Sequence, residues 1–135
     1  MGTFIVNGGR SLKGEIIPQG AKNEALQVIC ATLLTSETII INNIPSIRDV
    51  SKLIELIECL GVIVKKLSGS SISFKAEKID LDYLISDEYR EQSNSLRGSM
   101  MVAGPLIARF GKACIPQPGG DKIGRRRIDT HLIGF

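Results

Sequence analysis

A basic, glycine-rich stretch between residues 116 and 127 holds the side chains best suited to chemistry. It contains three glycines, one lysine and three arginines, and Asp121 is its only acid. Gly119 and Gly120 can adopt backbone angles closed to other residues, so the backbone can approach a ligand closely. The cations create a positive field suited to phosphate or carboxylate. A basic loop with one acid therefore has the groups needed for proton transfer to an anionic substrate.

Further cations stand where helices are predicted to begin. Lys22 opens one predicted helix, Arg97 lies in the first turn of another, and Arg125 to Arg127 lead into a third. A cation at a helix N-terminus is unfavourable by about 0.3–1 kcal/mol, so each position needs an explanation.

Neighbouring acids are one explanation for these cations. The pairs are Glu24 with Lys22, Asp129 with Arg127, and Asp49 with Arg48. The other explanation is that helix N-termini and cations together form anion sites, which packing would bring into one place. Asn23 adds a neutral donor and acceptor next to Lys22. Both explanations remain open for any one cation, and three such positions together favour anion binding.

Composition limits the classes of function. The chain has 135 residues, of which 43% are hydrophobic, enough for a modest core. A net charge of +3 and the absence of tryptophan argue against a nucleic-acid partner. Cys30, Cys59 and Cys114 show no metal-ligand spacing, so we interpret them as reduced core residues of a cytoplasmic protein without a metal. The sequence shows no signal peptide, and its longest apolar run is too short to span a membrane.

Hydrophobic periodicity and turn residues predict an α/β chain. Strands are predicted over residues 4–7, 14–17, 38–42 and 112–116, and a hairpin over 62–67 and 70–76. Helices are predicted over 21–34, 47–60 and 93–110, with a kink at Pro105, and from 128 onward. Residues 77–92 are predicted to be a loop with a short strand or turn.

The predicted order of elements repeats along the chain. The helix over 21–34 and the strand after it resemble the helix over 93–110 and the strand over 112–115. The two units differ in the connection that follows, which is short and plain over 42–46 and long and basic over 116–127. An internal repeat with one embellished loop points to function at that loop.

The predicted helices over 21–34 and 93–110 are apolar nearly all round, which is typical of buried helices. The strands are more amphipathic, with Ile72 and Phe74 alternating with serines. Helices inside and sheets outside are therefore the expected layering. Because the chain ends within the last predicted helix, we expect it to be a fragment of a longer protein.

Four groups of residues carry a resemblance to a known family. They are Gly-Ala-Lys-Asn-Glu-Ala-Leu at 20–26 with Arg97, Gly-Pro-Leu-Ile-Ala-Arg-Phe-Gly at 104–111, Pro-Gly-Gly-Asp-Lys-Ile-Gly-Arg-Arg at 118–126, and Asp-Thr-His at 129–131. In this order, over essentially the whole chain, they resemble the UDP-N-acetylglucosamine 1-carboxyvinyltransferases, a family of enolpyruvyl transferases. The Lys-Asn pair and the Pro-Gly-Gly loop are specific together, although either alone would be weak.

The resemblance implies a fold and an extent. Such enzymes have two lobes, each an inside-out α/β barrel of repeated βαβαββ-like units with buried helices. This chain resembles about the first third of such an enzyme and would form an incomplete first lobe. Residues 1–20 would be N-terminal strands of the other lobe, and residues 21–135 would be part of an enolpyruvyl-transferase lobe.

The resemblance also implies roles for individual residues. Lys22 and Asn23 would contact phosphoenolpyruvate, and Lys22 would act in catalysis. Arg97 and Asn23 would contact UDP-N-acetylglucosamine, and Arg126 would lie near both substrates. Four consecutive residues would lie where the family holds the uridine diphosphate sugar: Arg127, Ile128, Asp129 and Thr130. Arg127 replaces a common proline, Ile128 and Thr130 could act only through backbone groups or packing, and the sole histidine, His131, is expected to be structural.

Asp121 departs from the usual family pattern. Most members carry cysteine here, on the loop that closes over the substrates and supplies a proton to the methylene carbon of phosphoenolpyruvate. Asp121 can be that catalytic acid only if its pKa rises well above the ordinary value of ~3.9. The neighbouring cations would lower this pKa, whereas the incoming phosphate and loss of water would raise it. We therefore expect Asp121 to become a competent acid in the closed, substrate-loaded state, and the full-length enzyme to resist fosfomycin, which alkylates the cysteine.

Two other functions remain as alternatives. The sister enzyme that makes 5-enolpyruvylshikimate 3-phosphate shares the fold, but the Pro-Gly-Gly loop and the Lys-Asn pair favour the sugar-nucleotide enzyme. A non-catalytic basic module would bind nucleic acid through Arg125 to Arg127 in a salt-dependent way. The expected partners are phosphoenolpyruvate, UDP-N-acetylglucosamine and the second lobe, without a cofactor, a nucleic acid or a membrane.

Overall fold

Helices and a small antiparallel sheet form the described part of the chain. The computed structural model describes residues 2–115 and 128–135. The α-helices are α1 (Lys22–Ala31), α2 (Arg48–Cys59), α3 (Asp87–Asn94), α4 (Ala103–Phe110) and α5 (Asp129–Gly134). The strands are β1 (Thr38–Ile41), β2 (Ile63–Lys66) and β3 (Ile72–Lys75), and 3-10 helices cover Thr32–Leu34, Tyr83–Ile85 and Arg97–Val102. These elements confirm an α/β chain.

The clearest sequence signals correspond to regular elements. In α2, Val50 and Ile57 recur at helical spacing and are at most 1% exposed. Gly61 ends this helix with a φ of +100°, and a Cβ there would lie 2.6 Å from the carbonyl oxygen of Lys78. Only glycine fits both the angle and the close approach. The helix predicted from residue 128 is also confirmed, as α5.

The sheet has the order β1-β3-β2, and both pairings are antiparallel. β2 and β3 form the predicted hairpin, in which Ile63 lies opposite Lys75. Phe74 of β3 is fully buried in the core, whereas Ile40 of β1 is 56% exposed. The sheet therefore packs one face against the helices and leaves apolar side chains on the other.

The helices are less completely enclosed than the sequence predicted. Ile29 of α1 and Leu106 of α4 are fully buried, but Val28 and Leu34 are 41% and 51% exposed. The expectation that the helix over 21–34 is buried all round is therefore wrong for the described residues. In the described chain, α1 packs against α2 and the 3-10 helix at Arg97–Val102, and these contacts leave part of its surface open to solvent.

The prediction of a loop over residues 77–92 is wrong in its second half, where α3 begins at Asp87. The Ser86 hydroxyl caps the helix, because it accepts a hydrogen bond of 3.0 Å from the backbone N–H of Tyr89. Asp87 and Glu88 add favourable negative charge to the first turn. Tyr89 is fully buried and anchors α3 to the core.

The predicted helix over 93–110 is divided rather than kinked. A 3-10 helix covers Arg97–Val102, and α4 begins at Ala103. Pro105 therefore lies in the first turn of α4, where its missing N–H removes no helical hydrogen bond. The proline marks the start of a helix and not a bend within one.

Three predicted strands do not form in the described residues. Residues 2–20 contain neither helix nor strand, and Phe4 and Leu12 are 95% and 99% exposed. A strand needs a neighbouring strand to pair its backbone groups. In the described chain, neither residues 4–7 nor residues 14–17 have such a neighbour. Residues 112–115 are also unpaired as a strand; instead, the carbonyl oxygen of Cys114 accepts a hydrogen bond of 3.0 Å from the hydroxyl of Tyr89. The second predicted repeat therefore keeps a helix and lacks its strand.

Candidate functional site

A cleft of about 630 Å³ lies where the first residues of three helical segments meet. Lys22 begins α1, Arg48 begins α2 and Arg97 begins the 3-10 helix, and all three line the cleft. Within the described chain, their N-cap residues make no side-chain capping hydrogen bond; these are Ala21, Ile47 and Leu96. The cleft therefore combines helix N-termini, which lack intrahelical partners for their N–H groups, with cationic side chains.

Close packing brings these segments together. Gly98 of the 3-10 helix lies against Leu26 of α1, where a Cβ would approach the Leu26 Cδ1 atom to 3.2 Å. The absence of a side chain at this position lets the segment bearing Arg97 approach the start of α1. Residues 75 positions apart in sequence thereby line one cleft.

The charged lining of the cleft is predominantly positive. Among the residues that the structure describes, it contains Lys22, Arg48, Lys52 and Arg97 against a single carboxylate, Asp49. The Lys22 Nζ lies 2.9 Å from the Asp49 Oδ2, and both side chains are 42% exposed. The Lys52 Nζ donates to the Ser95 carbonyl oxygen at 3.3 Å. Four cations against one acid favour a ligand that carries several negative charges.

Three residues singled out in the sequence line this cleft: Lys22, Asn23 and Arg97. Their presence in one cleft agrees with the explanation that cations at helix N-termini form an anion-binding site. The direct partner of Lys22 is Asp49 of α2, while Glu24, the neighbouring acid that could compensate Lys22, lies in the same first turn of α1. Three further predicted residues, Asp121, Arg126 and Arg127, lie outside the described residues, as does the whole stretch from 116 to 127.

Sequence reasoning missed three residues of the cleft on α2. The sequence indicates only a compensating pair for Arg48 and Asp49, and it gives no local reason to select Lys52. Positions 48 and 52 are four residues apart, a spacing that places two side chains on one helical face. This spacing was the available signal, but only tertiary packing shows that the face meets α1 and Arg97.

An adjoining pocket of about 430 Å³ is mainly apolar. It shares Gln27, Met100 and Met101 with the charged cleft, and its lining also includes Ile128 and His131. Thr130 is exposed and Asp129 is half-buried in the first turn of α5. The structure thus places Ile128 beside the charged cleft, with apolar surface between them.

Cys30 lines the same apolar pocket but is a poor nucleophile. Burial raises the pKa of its thiol to about 12, so the thiolate is scarce at neutral pH. Among the described residues, no group of three or more His, Cys, Asp or Glu side chains is arranged to hold a metal ion. The helices described here are all too short or too polar to cross a membrane.

Comparison with known proteins identifies the family. A family profile described as EPSP synthase (3-phosphoshikimate 1-carboxyvinyltransferase) matches residues 6–135. Proteins named UDP-N-acetylglucosamine 1-carboxyvinyltransferase are similar over the whole chain, with 60% identity in Bacteroides fragilis and 54% in Porphyromonas gingivalis. A protein of the same name from Bradyrhizobium diazoefficiens is 42% identical over 98% of the chain.

The chain spans only part of these relatives. It covers 31% of the length of the proteins from Bacteroides fragilis and Porphyromonas gingivalis. The family match nevertheless extends over nearly every residue of the chain. This chain belongs to the EPSP synthase (3-phosphoshikimate 1-carboxyvinyltransferase) family.

Proposed function

We propose that the full-length protein carrying this chain transfers an enolpyruvyl group from phosphoenolpyruvate to the 3-hydroxyl of UDP-N-acetylglucosamine, releasing phosphate. The observation that carries this proposal is the cleft in which Lys22, Asn23 and Arg97 meet at helix starts. Both substrates are anionic, and the described lining of the cleft presents four cations and one carboxylate. Relatives at 54–60% identity bear the name of this reaction. The reaction would begin peptidoglycan precursor synthesis and serve cell-wall biogenesis.

In this proposal, the two substrates bind to different residues of the cleft. Lys22 and Asn23 hold phosphoenolpyruvate, whose phosphate can replace the exposed Asp49 carboxylate as the partner of Lys22. Arg97, together with Asn23, binds UDP-N-acetylglucosamine. The 54–60% identical relatives support this division, as does the presence of Arg97 and Lys22 in the lining of one cleft.

The chemistry is addition followed by elimination. The 3-hydroxyl oxygen of the sugar bonds to C2 of phosphoenolpyruvate and loses its proton, while C3 gains a proton and becomes a methyl group. The resulting intermediate then loses a proton from C3 and expels phosphate from C2, which restores the double bond. Asp121 supplies the first proton to C3 in this scheme, and Lys22 balances the negative charge of the departing phosphate.

The remaining predicted contacts complete the proposal. Arg126 lies near both substrates, and the uridine diphosphate sugar is held by Arg127, Ile128, Asp129 and Thr130. For Ile128, its place on the wall of the pocket adjoining the cleft supports this assignment. The other assignments rest on the family resemblance.

The architecture and location follow from the same proposal. The helices and three-stranded sheet are part of a lobe that becomes an inside-out α/β barrel in the full-length enzyme. Residues 1–20 pair with the other lobe, which agrees with the lack of strands over residues 2–20 and the exposure of residues 2–19 in the chain by itself. The enzyme acts in the cytoplasm, without a membrane or nucleic-acid partner.

The test is release of phosphate from phosphoenolpyruvate by the full-length protein. We expect release to depend on UDP-N-acetylglucosamine and to fall by about 10²–10⁴-fold in Asp121→Asn, the usual contribution of a general acid. Full activity of Asp121→Asn would remove Asp121 from the role of proton donor. Absence of release with both substrates would refute the transfer reaction itself.

Shikimate 3-phosphate is the competing acceptor, because the matching family profile is named for it. The identities of 54–60% to the sugar-nucleotide enzymes favour UDP-N-acetylglucosamine instead. The same phosphate assay decides between them when each acceptor is supplied alone. Faster release with shikimate 3-phosphate would identify the sister reaction.

A further inference from the structure

Lys52 makes a contact that links two sides of the cleft. It projects from α2, and its Nζ donates to the carbonyl oxygen of Ser95 at 3.3 Å. Ser95 is the C-cap residue of α3, and the last turn of α3 contains no basic residue of its own. A helix C-terminus carries partial negative charge, so a cation there is favourable. Lys52 therefore supplies from α2 the charge that α3 lacks.

The turn that Lys52 holds leads directly to Arg97. The buried hydroxyl of Ser99 lies 3.0 Å from the Ser93 carbonyl oxygen and 2.7 Å from that of Leu96. The backbone N–H of Leu96 also donates to the Ser93 carbonyl at 3.1 Å. These bonds tie residues 93–99 into one unit, so a displacement at Ser95 is passed on to Arg97.

The same helix also holds the opposite wall. Asp49 lies three residues before Lys52 on α2 and contacts the Lys22 Nζ of α1 at 2.9 Å. One turn of α2 is thus bonded to α1 at Lys22 and to the turn before Arg97. This turn of α2 is therefore placed to influence the separation of Lys22 and Arg97.

We propose that Lys52 is a positioning residue for UDP-N-acetylglucosamine, acting through Arg97. It fixes the turn at residues 93–99 so that Arg97 stands at the correct distance from Lys22. This inference rests on the proposed function. The competing role, in which Lys52 binds a substrate directly as a fourth cation of the cleft, is an outcome that the test separates.

The experiment compares Lys52→Met with wild type in the full-length protein. We expect the KM for UDP-N-acetylglucosamine to rise about tenfold, the loss given by one charge-assisted hydrogen bond. The kcat and the KM for phosphoenolpyruvate should stay within about twofold, because Lys52 contacts Ser95 and not Lys22. Lys52→Arg should restore most of the KM, and Lys66→Met on the exposed strand β2 should change none of these values.

A double-mutant cycle separates positioning from direct binding. In an Arg97→Ala background, Lys52→Met should raise the KM for UDP-N-acetylglucosamine no further, because its effect passes through Arg97. If the two substitutions instead raise this KM by the product of their separate effects, the proposal is overturned and Lys52 binds the ligand directly. An unchanged KM in Lys52→Met, or an equal rise in the KM for both substrates, would overturn it as well.

Hydrogen–deuterium exchange tests the same contact without turnover. Amides of residues 95–99 should exchange faster in Lys52→Met than in wild type, with Lys52→Arg restoring protection and the exchange of β2 and β3 unaltered. Unchanged exchange in this turn would refute the positioning role even if the enzyme lacks the proposed activity. If Lys52→Met fails to fold, Lys52→Gln, which keeps a shorter neutral donor, should show the same changes in smaller size.

Discussion

The ion pair between Lys22 and Asp49 matters for placement more than for stability. Both side chains are 42% exposed, and pairs of this kind contribute about 0–1 kcal/mol. Because so little is lost when the pair opens, a ligand phosphate can replace the Asp49 carboxylate easily. Lys22 is thereby kept in the cleft and remains available to an anion.

Asp121 leads to a prediction about inhibition. Fosfomycin alkylates a thiolate, and the chain carries a carboxylate at this position. Incubation of the full-length enzyme with fosfomycin and UDP-N-acetylglucosamine should leave the peptide containing Asp121 unmodified by mass spectrometry. The Asp121→Cys variant should form the fosfomycin adduct and should lose its activity when it is treated with fosfomycin. An adduct on the wild-type loop would contradict the account.

The reactivity of the cysteines should differ with pH. Burial raises the pKa of Cys30 from 9.0 to about 12, whereas Cys59 is exposed, so the expectation that it is a core residue is wrong. Iodoacetamide at about pH 8 should therefore label Cys59 and spare Cys30, because only the thiolate reacts. The same raised pKa stabilises the fold below about pH 9, and this stabilisation is lost as the pH rises towards 12. Equal labelling of both cysteines at pH 8, read by peptide mapping, would show that Cys30 is not buried.

At the scale of elements, the site is a meeting of helix starts. Each of the three segments begins with a cation, and simple electrostatics disfavours that arrangement in an isolated helix. The local cost is acceptable where a bound anion offsets it. Lys22 and Arg97 could therefore be predicted as site residues from the sequence, because a cation at a helix N-terminus is unfavourable without a bound anion.

The elements around α4 depend on Arg109. Its Nη1 donates to the carbonyl oxygens of Leu33, Thr35 and Ala76 at 3.0, 3.1 and 2.7 Å. One guanidinium thus joins α4 to the end of the first helical segment and to the residue after β3. The guanidinium also lies 4.8 Å from the centre of the Phe110 ring.

Loss of this contact should destabilise the protein. Arg109→Leu should lower the free energy of unfolding by about 2–4 kcal/mol, because it leaves three carbonyl groups without a charged donor. Arg90→Leu is the matched control. Its pair with Asp87 is largely exposed, so we expect a change below about 1 kcal/mol. Thermal unfolding of both variants is the measurement, and equal melting temperatures would contradict the role of Arg109.

At the scale of the whole molecule, local signals predicted more than long-range ones. The hairpin and α2 could be predicted because turn glycines and helical spacing act within a few residues. The strands over 4–7, 14–17 and 112–116 could not be judged locally, since a strand depends on a distant partner. The α2 face of Arg48, Asp49 and Lys52 was missed for the same reason, because its role appears only when three elements pack together.

The chain exposes several large apolar side chains. Phe4, Ile16 and Ile17 are at least 84% exposed, and Ile40 and Ile63 are about half exposed. We expect these 135 residues, expressed alone, to self-associate with rising concentration and to release no phosphate. Sedimentation velocity over a range of concentrations measures the association. A monomer at high concentration would contradict this expectation.

The most direct test of the account is the steady-state rate of phosphate release by the full-length protein and its Lys22→Met and Arg97→Ala variants. Release should require both phosphoenolpyruvate and UDP-N-acetylglucosamine. Lys22→Met should raise the KM for phosphoenolpyruvate, and Arg97→Ala the KM for UDP-N-acetylglucosamine, each by at least about tenfold. No release with both substrates present, or variants that keep wild-type KM values, would contradict the claim that this cleft binds both substrates for enolpyruvyl transfer.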